Sequence, residues 1–288
     1  MSSLRRFLPL CLMLLVLGCA LLPPPPTPTP TPTPTSTPSP TPWPTFTPWP
    51  TLIPEPPDTG WQLLQPGVEL RQVRVETGEA AEQLVIVRLD STAVRFRVHY
   101  DPVAPRPVSA WAGLLQPLLV VNGGYFTPEN ETVGLLISDG RAWGTPYGGF
   151  AGMFAVNPSP LEEKASVRWL RDQPYDPNEP LIEALQSFPV LVKPGGVMGF
   201  PANADDGRPS RRTVVAQDRQ GCILFIVAPR GYLSLHGLAR FLADSDLDLD
   251  VALNLDGGFS TGLWLRTNEA PVEINSLVPV PSVISVYD

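Results

Sequence analysis

The sequence predicts an α+β fold: a single domain over residues 61–288, with a mixed, largely antiparallel sheet and few helices. Two runs near the start of this stretch, LVIVRL at 84–89 and VRFRVHY at 94–100, are short, β-type and separated by turn residues. Helical periodicity is sparse, and strand-like runs follow one another more often than they alternate with helices. This order favours α+β over a parallel sheet with crossover helices.

Further strands are predicted along the rest of the domain, at PLLVVNGGYF, GMFAVN, CILFIVA, VALNLDGG and SVISVY. The best helix spans residues 234–244, because Ser234 is a candidate N-cap and four apolar residues after it fall on one face. A shorter helix is predicted over residues 181–186. No internal repeat of fixed period is visible.

The first 18 residues are predicted to be a signal peptide of the lipoprotein type. Two arginines precede an apolar stretch at 7–17, which is shorter than the ~20 residues that a bilayer crossing needs. The sequence VLGC at 16–19 resembles a bacterial lipoprotein cleavage box, so Cys19 is the predicted lipid attachment site. Cleavage nearby as an ordinary signal peptide is the alternative.

Residues 19–60 are predicted to form an extended tether. Their Pro/Thr repeats favour polyproline II and cannot pack a hydrophobic core. Such a segment would lift the domain off the membrane. The protein is therefore expected to be extracytoplasmic, and lipid-anchored at the cell membrane or cell surface.

The charge of the chain limits its partners. The formal net charge is −8 and no basic run is present, which argues against nucleic acid as a partner. A single phosphate remains compatible with the sequence, because one arginine and a few backbone N–H groups can hold it. The sequence does not indicate an oligomeric state, and it does not firmly imply a cofactor. A divalent cation would be compatible with the sequence, but no motif indicates one.

Two segments place polar or glycine residues at the end of an apolar strand. In LLVVNGGYF at 118–126 the strand ends at Asn122, and Gly123 and Gly124 allow a turn with exposed N–H groups. In SRRTVVAQD at 210–218 two arginines stand at the start of a strand. Singly, each pattern is weak, because a strand followed by Gly-Gly is usually only a turn.

A third segment of the same design is VALNLDGGFSTG at 251–262. Period-two alternation puts Asn254 and Asp256 on one face of the strand, beside a flexible turn at Gly257 and Gly258. Together the three segments offer a carboxylate, two amides, an arginine and two glycine turns. This set suits a sugar and a phosphate, because arginine binds phosphate oxygens bidentately and amides and carboxylates bind hydroxyls.

The order of these motifs resembles the phosphodiester glycosidase family. The family pattern runs NGGFF, an Arg-Thr pair opening a strand, a helix, and NLDGGGS. The matching segments here are NGGYF at 122–126, Arg212-Thr213, the helix at 234–244 and NLDGGFS at 254–260. The resemblance spans nearly all of residues 61–288. Two residues depart from it: Phe259 replaces the third glycine of the last motif, and Thr127 stands where Asp or Asn is frequent.

The resemblance implies hydrolysis of a sugar-1-phosphodiester, in a surface or extracellular glycan, at the bond between the anomeric carbon and a phosphodiester oxygen. We assign Asp256 as base or nucleophile, Arg212 as phosphate clamp and Asn122 as a hydroxyl or phosphate donor. The predicted substrate-binding residues are Gly123, Gly124, Tyr125, Asn254, Gly257, Gly258 and Ser260. No second catalytic carboxylate is identified. Glu129 and Glu131, which follow the first motif, are the candidates for that role.

Two other functions compete with this one. A non-catalytic carbohydrate-binding module would use the same tether equally well. Residues 258–262 also fit GxSxG, the nucleophile elbow of serine hydrolases, with Ser260 as nucleophile. That fold needs a helix after the serine and a histidine later in the chain. Here LWLR after the motif is strand-like, and both His99 and His236 precede Ser260.

The acidic residues at 244, 246, 248 and 250 alternate as in a calcium-binding loop. An EF-hand loop needs glycine at its sixth position and glutamate at its twelfth. Leu249 and Leu255 occupy those positions here. A solvated turn between helix and strand is therefore predicted.

Overall fold

The computed structural model describes residues 57–78, 80–158 and 163–288. The predicted signal peptide, the lipid attachment site at Cys19 and most of the predicted tether lie outside these residues. The helices of the described part are α1 (Val108–Leu115) and α2 (Leu235–Asp244). Its strands are β1 (Gln62–Gln65), β2 (Val68–Glu76), β3 (Ala81–Leu89), β4 (Arg95–Tyr100), β5 (Leu119–Asn122), β6 (Leu136–Ser138), β7 (Arg141–Trp143), β8 (Gly152–Asn157), β9 (Lys164–Trp169), β10 (Glu183–Ser187), β11 (Val190–Lys193), β12 (Val197–Met198), β13 (Arg212–Asp218), β14 (Ile223–Ala228), β15 (Leu249–Asn254), β16 (Leu263–Leu265), β17 (Val272–Ile274) and β18 (Ser282–Tyr287).

The strands form three sheets, and the pairs within them are antiparallel. The largest has the order β1-β2-β3-β14-β13-β15-β11-β12. The other two have the orders β7-β6-β10-β8-β9 and β17-β16-β5-β18-β4. The predicted α+β class with largely antiparallel pairing and few helices is confirmed. The division into three sheets was not predicted.

The centre of the largest sheet is buried on both faces. Alternate residues of β15 show this, since Leu253 packs in the main core with Phe154 of the second sheet, whereas Ala252 packs on the opposite face with Leu238 of α2. The predicted alternation along this strand is therefore correct. Continuous burial also explains why its sequence reads as an apolar run that ends abruptly in polar residues.

One predicted helix is confirmed and one is wrong. Helix α2 begins after Ser234, whose Oγ accepts a hydrogen bond from the Gly237 N–H at 3.1 Å. Residues 183–186, by contrast, belong to β10, which pairs with both β6 and β8. Pairing on two sides outweighs the weak local helical preference of that short run. Helix α1 was not predicted, because Pro107 at its N-cap offers no side-chain acceptor.

Residues 57–60, which composition assigns to the tether, are attached to the domain. The Thr59 N–H donates to the Gln72 oxygen at 3.0 Å. The Arg71 guanidinium lies 2.6 Å from the Asp58 carboxylate and 3.0 Å from that of Asp246. Folded structure thus begins before residue 61. Among the described residues, neither helix is long and apolar enough to cross a membrane.

Candidate active site

The three predicted motifs meet at one edge of the fold. The Asp256 N–H donates to the Gly123 oxygen at 3.3 Å, which joins the ends of β15 and β5. The Gly258 N–H donates to the Arg211 oxygen at 2.8 Å, which joins the same turn to the start of β13. Segments more than 40 residues apart in the chain are therefore in direct backbone contact.

Asp256 lies just beyond β15 in a largely buried position. Its Oδ1 accepts a hydrogen bond from the Gly257 N–H at 2.9 Å, and the Ser260 side chain hydrogen-bonds to the same carboxylate. Burial raises the pKa of Asp256 to about 6, although these two hydrogen bonds act in the opposite direction. The carboxylate is therefore mostly ionised at neutral pH and becomes protonated in mildly acidic solution.

Tyr125 lies close to both Asp256 and Arg212. Its hydroxyl accepts a hydrogen bond from Asn254 Nδ2 at 2.8 Å and donates to the Phe188 oxygen at 3.0 Å. Burial raises the pKa of Tyr125, the charge of Asp256 raises it further, and the charge of Arg212 opposes both. The hydroxyl therefore stays protonated, within the fields of the carboxylate and the guanidinium.

Arg212 has a half-buried guanidinium. Its Nη2 donates to the Arg208 oxygen at 3.2 Å, and its Nε is buried without a partner. No carboxylate among the described residues forms an ion pair with it, and burial lowers its pKa. Arg212 lines a cavity of about 540 Å³ together with Phe188 and Phe200. A partly desolvated cation of this kind favours binding of an anion.

Asn122 occupies a different position from the one expected of a substrate donor. Its side chain is fully buried and bonded to protein. Its Oδ1 accepts hydrogen bonds from Thr213 Oγ1 at 2.7 Å and from the Gly262 N–H at 3.0 Å. Its Nδ2 donates to the Asp256 oxygen at 2.7 Å. In this structure Asn122 links β5, β13 and the segment after β15, and holds the backbone of Asp256 in place.

Four glycines were predicted to bind substrate, and most of their backbone N–H groups are already bonded to protein. Among them, only the N–H of Gly124 has no acceptor among the described residues. The other three donate to protein: Gly123 to the Ser282 oxygen at 2.9 Å, Gly257 to Asp256 Oδ1 and Gly258 to the Arg211 oxygen. A phosphate would therefore rely on side chains more than on these amides.

Two of the glycines are required by close contact between segments. A Cβ at Gly123 would lie 2.9 Å from the carbonyl of Ser282, and one at Gly257 would lie 2.9 Å from the oxygen of Arg211. Gly258 adopts a φ of +63°, which side chains rarely tolerate. These residues are glycine because the three segments could not otherwise approach one another.

Asn254 is buried at the end of β15 and is the second amide of the site. Its Nδ2 donates to the oxygens of Tyr125, Phe188 and Leu255, whereas its Oδ1 is buried without a partner. Asn254 thus fixes the Tyr125 hydroxyl from one side. Its role as a substrate donor stays a prediction.

A group of aromatic residues beside Tyr125 was missed by sequence reasoning. The rings of Phe188 and Phe150 stack at 4.7 Å, and those of Tyr125 and Phe188 lie 5.1 Å apart. Phe188 is 41% exposed and Tyr147, which packs edge-on against Phe150, is 54% exposed. These residues come from two loops, so no strand or helix pattern marks them. They place exposed aromatic rings beside Tyr125, and aromatic side chains commonly line ligand pockets.

The nucleophile elbow is absent from this part of the fold. Ser260 is 6% exposed, lies in a short 3₁₀ turn and is followed by β16 instead of a helix. The ring of His99 hydrogen-bonds to Ser285 Oγ at 2.8 Å, and that of His236 donates to the Phe200 oxygen at 3.0 Å. Both histidines thus contact other parts of the protein.

The acidic residues after α2 are paired with protein groups. Asp248 lies 3.0 Å from Arg219, and Asp250 accepts the Gly195 N–H at 2.7 Å, in addition to the contact of Asp246 with Arg71. No group of three potential metal ligands occurs in the described ranges.

Glu129 and Glu131 are exposed on a turn that follows β5. The N–H groups of both residues donate to Thr127 Oγ1, at 3.2 and 3.3 Å. Thr127 therefore supplies the acceptor that Asp or Asn would supply at this position. Its departure from the family pattern leaves the turn intact.

Comparison with solved structures identifies the same fold elsewhere. The catalytic domain of zebrafish N-acetylglucosamine-1-phosphodiester alpha-N-acetylglucosaminidase, auto-inhibited by its pro-peptide, is 18% identical, with a TM-score of 0.61 over 78% of this chain and 84% of that one. A hypothetical protein from Synechocystis is 14% identical, with a TM-score of 0.61 over 81% of this chain and 64% of that one. A Burkholderia pseudomallei K96243 protein described as exported is 13% identical, with a TM-score of 0.53 over 72% and 74%.

A search of curated protein sequences finds no significant match. The model of the phosphodiester glycosidase family, however, matches residues 116–287, which is more than half of the chain. This range contains Asn122, Arg212 and Asp256, together with the contacts that join them. The chain belongs to the phosphodiester glycosidase family.

Proposed function

We propose that this protein hydrolyses the glycosidic bond of a sugar-1-phosphodiester in a surface or extracellular glycan. Family membership supports a phosphodiester glycosidase activity. The observation that carries the choice of residues is the backbone contact that joins the turn after Asp256 to the start of β13, where the Gly258 N–H donates to the Arg211 oxygen at 2.8 Å, next to Arg212. The carboxylate of Asp256 and the guanidinium of Arg212, which has no ion-pair partner among the described residues, match a sugar and its phosphate.

In the proposed reaction the bond between the anomeric carbon and the phosphodiester oxygen breaks, and its electron pair stays on the phosphate. Arg212 stabilises the resulting phosphomonoester of the aglycone. Asp256 either takes a proton from the water that attacks the anomeric carbon, or attacks that carbon itself and forms an ester that water then hydrolyses. The phosphomonoester is a good leaving group that needs little general-acid help, so one carboxylate goes far towards completing the site.

A release assay over a panel of sugar-1-phosphodiesters tests this function. In water enriched in ¹⁸O, cleavage at the anomeric carbon places the label on the free sugar and leaves the phosphomonoester unlabelled. Label in the phosphate, or release of sugar 1-phosphate, would mean attack at phosphorus and would contradict the proposal. Tight glycan binding without turnover of any member would favour the binding module, for which the exposed rings of Tyr147 and Phe188 would also be suited.

Arg212→Lys should lower kcat/KM for phosphodiesters by roughly 10- to 100-fold, since lysine keeps the charge but loses the planar fork. Arg211→Lys is the matched control, because the neighbouring Arg211 guanidinium donates to the Asn275 oxygen. Kinetics of both variants on one phosphodiester and one neutral aryl glycoside measure the effect. Equal losses on both substrates, or in both variants, would show that Arg212 does not recognise phosphate.

We also propose that the mature protein begins at Cys19, carries lipid there, and is held at the cell surface by the Pro/Thr-rich segment between Cys19 and the domain. One structural relative is described as exported, which supports export of this chain. Cys19→Ser should abolish fatty-acid labelling and release the protein from membranes, because no acyl chain can attach. Metabolic labelling and membrane fractionation check this. Unchanged labelling in the variant would contradict lipid attachment at Cys19.

A further inference from the structure

We propose that the cavity beside Arg212 is the aglycone subsite, and that Asp205 recognises a hydroxyl group there, so that the preferred aglycone is a polyol. The inference rests on the proposed function, because an aglycone is the alcohol on the far side of the phosphate that Arg212 holds. It goes further by naming the chemical class of that alcohol and the residue that selects it.

The cavity is larger than a phosphate group requires. Its volume of about 540 Å³ lies within the range of ~300–1,000 Å³ that is typical of sites for whole small molecules. Phe188, Phe200 and Leu235 supply apolar walls, and Arg212 lies on its lining. The space therefore accommodates a phosphate together with the carbon chain attached to it.

The charges around the cavity have both signs. Arg208 and Arg212 line it, and so do Asp205 and Asp206. Carboxylates would repel a phosphate that bound alone. Asp206 is largely exposed, with 64% of its side chain accessible, and it lies 3.8 Å from the Arg208 guanidinium. Asp205 is more buried, and its Oδ2 accepts a hydrogen bond from the His236 N–H at 3.3 Å.

Two buried polar atoms at this cavity have no partner. One is the donor Arg212 Nε and the other is the acceptor Asp205 Oδ1. Buried polar groups in native proteins are nearly always paired, so each points to a ligand atom of the opposite kind. A phosphate oxygen satisfies the first and a hydroxyl hydrogen satisfies the second. A phosphorylated polyol carries both groups on one short chain.

The segment 201–209 contains Asp205 and supplies the Arg208 oxygen that accepts a hydrogen bond from Arg212 Nη2. Most of its residues are exposed, and it is held by the contacts of His236 with Asp205 and the Phe200 oxygen. Because the two atoms are shielded from solvent, a ligand that pairs with them shifts this segment. Binding of the aglycone phosphate should therefore change amide hydrogen exchange in residues 201–209.

The test compares the glyceryl and methyl diesters of the hexose 1-phosphate that gives the fastest release in the panel above. The mature protein should prefer the glyceryl diester by ~10-fold in kcat/KM, the effect of one hydrogen bond to a charged group. Asp205→Asn should abolish this preference. Its side-chain oxygen can still accept the His236 N–H, but an NH₂ group then replaces the unpaired acceptor. Asp206→Asn, the matched control, removes the same charge from the same segment and should keep the preference.

Binding of glycerol phosphate and methyl phosphate, measured by calorimetry, gives a readout that is independent of turnover. The wild-type protein and Asp206→Asn should bind glycerol phosphate more tightly, with altered exchange at 201–209, and Asp205→Asn should bind both equally. The inference would be overturned if the wild-type protein bound glycerol phosphate and methyl phosphate equally. It would also be overturned if Asp205→Asn and Asp206→Asn lost the preference for glycerol phosphate to the same extent. Failure to hydrolyse either diester would contradict the proposed function, whereas an Asp205-dependent preference in binding would still support the subsite.

Discussion

If Asp256 reacts as proposed, Asp256→Asn is expected to lower kcat by ~10²–10⁴-fold and to leave the protein folded, because the swap is nearly isosteric and removes the acid–base group. Glycan binding should persist, which separates the variant from an unfolded one. Ser260→Ala is the comparison: it removes the hydroxyl that hydrogen-bonds to Asp256 and should cost far less. If Ser260→Ala lost activity and Asp256→Asn did not, the result would favour the alternative function, a serine hydrolase with Ser260 as nucleophile.

The same Asp256→Asn variant should be more stable than the wild-type protein above pH 6. Burial raises the folded pKa of Asp256 to about 6 from its ordinary 3.8, so the folded state binds a proton more tightly than the unfolded state. The free energy of unfolding is therefore highest at low pH and falls by up to ~3 kcal/mol as the pH rises from the unfolded pKa to the folded pKa of Asp256. Asparagine carries no charge, so the variant does not lose this stability.

Thermal unfolding at pH 4 and pH 7.5 measures this difference. The gain in Tm should appear at the higher pH and be small at the lower one. Wild-type kcat/KM should fall on the acidic side of pH 6, because the protonated carboxyl can act neither as base nor as nucleophile. A gain that is the same at both pH values would mean that Asp256 is not destabilised by its charge.

Asn122→Ala is expected to lower the free energy of unfolding by ~3–5 kcal/mol. It leaves the Thr213 hydroxyl, the Gly262 N–H and the Asp256 oxygen buried without their partner, and each such group costs ~1–3 kcal/mol. Denaturant unfolding of the mature protein measures the loss.

Thr213→Val is the matched control for Asn122→Ala. It removes one of the three partners at nearly constant volume and should cost ~1 kcal/mol. Activity of Asn122→Ala should also fall, even where the protein is still folded, because the backbone of Asp256 loses its support. If Asn122→Ala unfolded at the same midpoint denaturant concentration as the wild-type protein, the link between the three motifs would be dispensable for stability.

The sequence predicted most strands and one helix because those segments carry their own local signals. Helix α2 has a capping serine and an apolar face, and β15 is a short, mostly apolar run that ends at Asn254. Residues 181–186 were assigned wrongly because the strands β6 and β8, which determine their conformation, lie far away in the sequence. Local propensity carries no information about such partners.

The same reason limits what could be predicted of the site. The ends of strands identified where Asp256, Arg212 and Asn122 lie, but not which groups would already be bonded. That Gly123 donates to Ser282 depends on the close approach of β18, and the position of Phe188 depends on a loop. Asp205 gave no signal at all, because a single acid in a Pro/Gly/Asp-rich stretch is typical of any surface loop.

Phe259 stands in the turn that follows Asp256, yet the fold requires little of its side chain. The ring is 69% exposed, while its backbone oxygen accepts the N–H groups of Leu277 and Val278. Its backbone does not adopt a positive φ, so glycine is not demanded there. Mutations at this position should therefore be nearly neutral for folding. If Asp256 is catalytic as proposed, side chains at position 259 can vary beside it without a cost in folding stability.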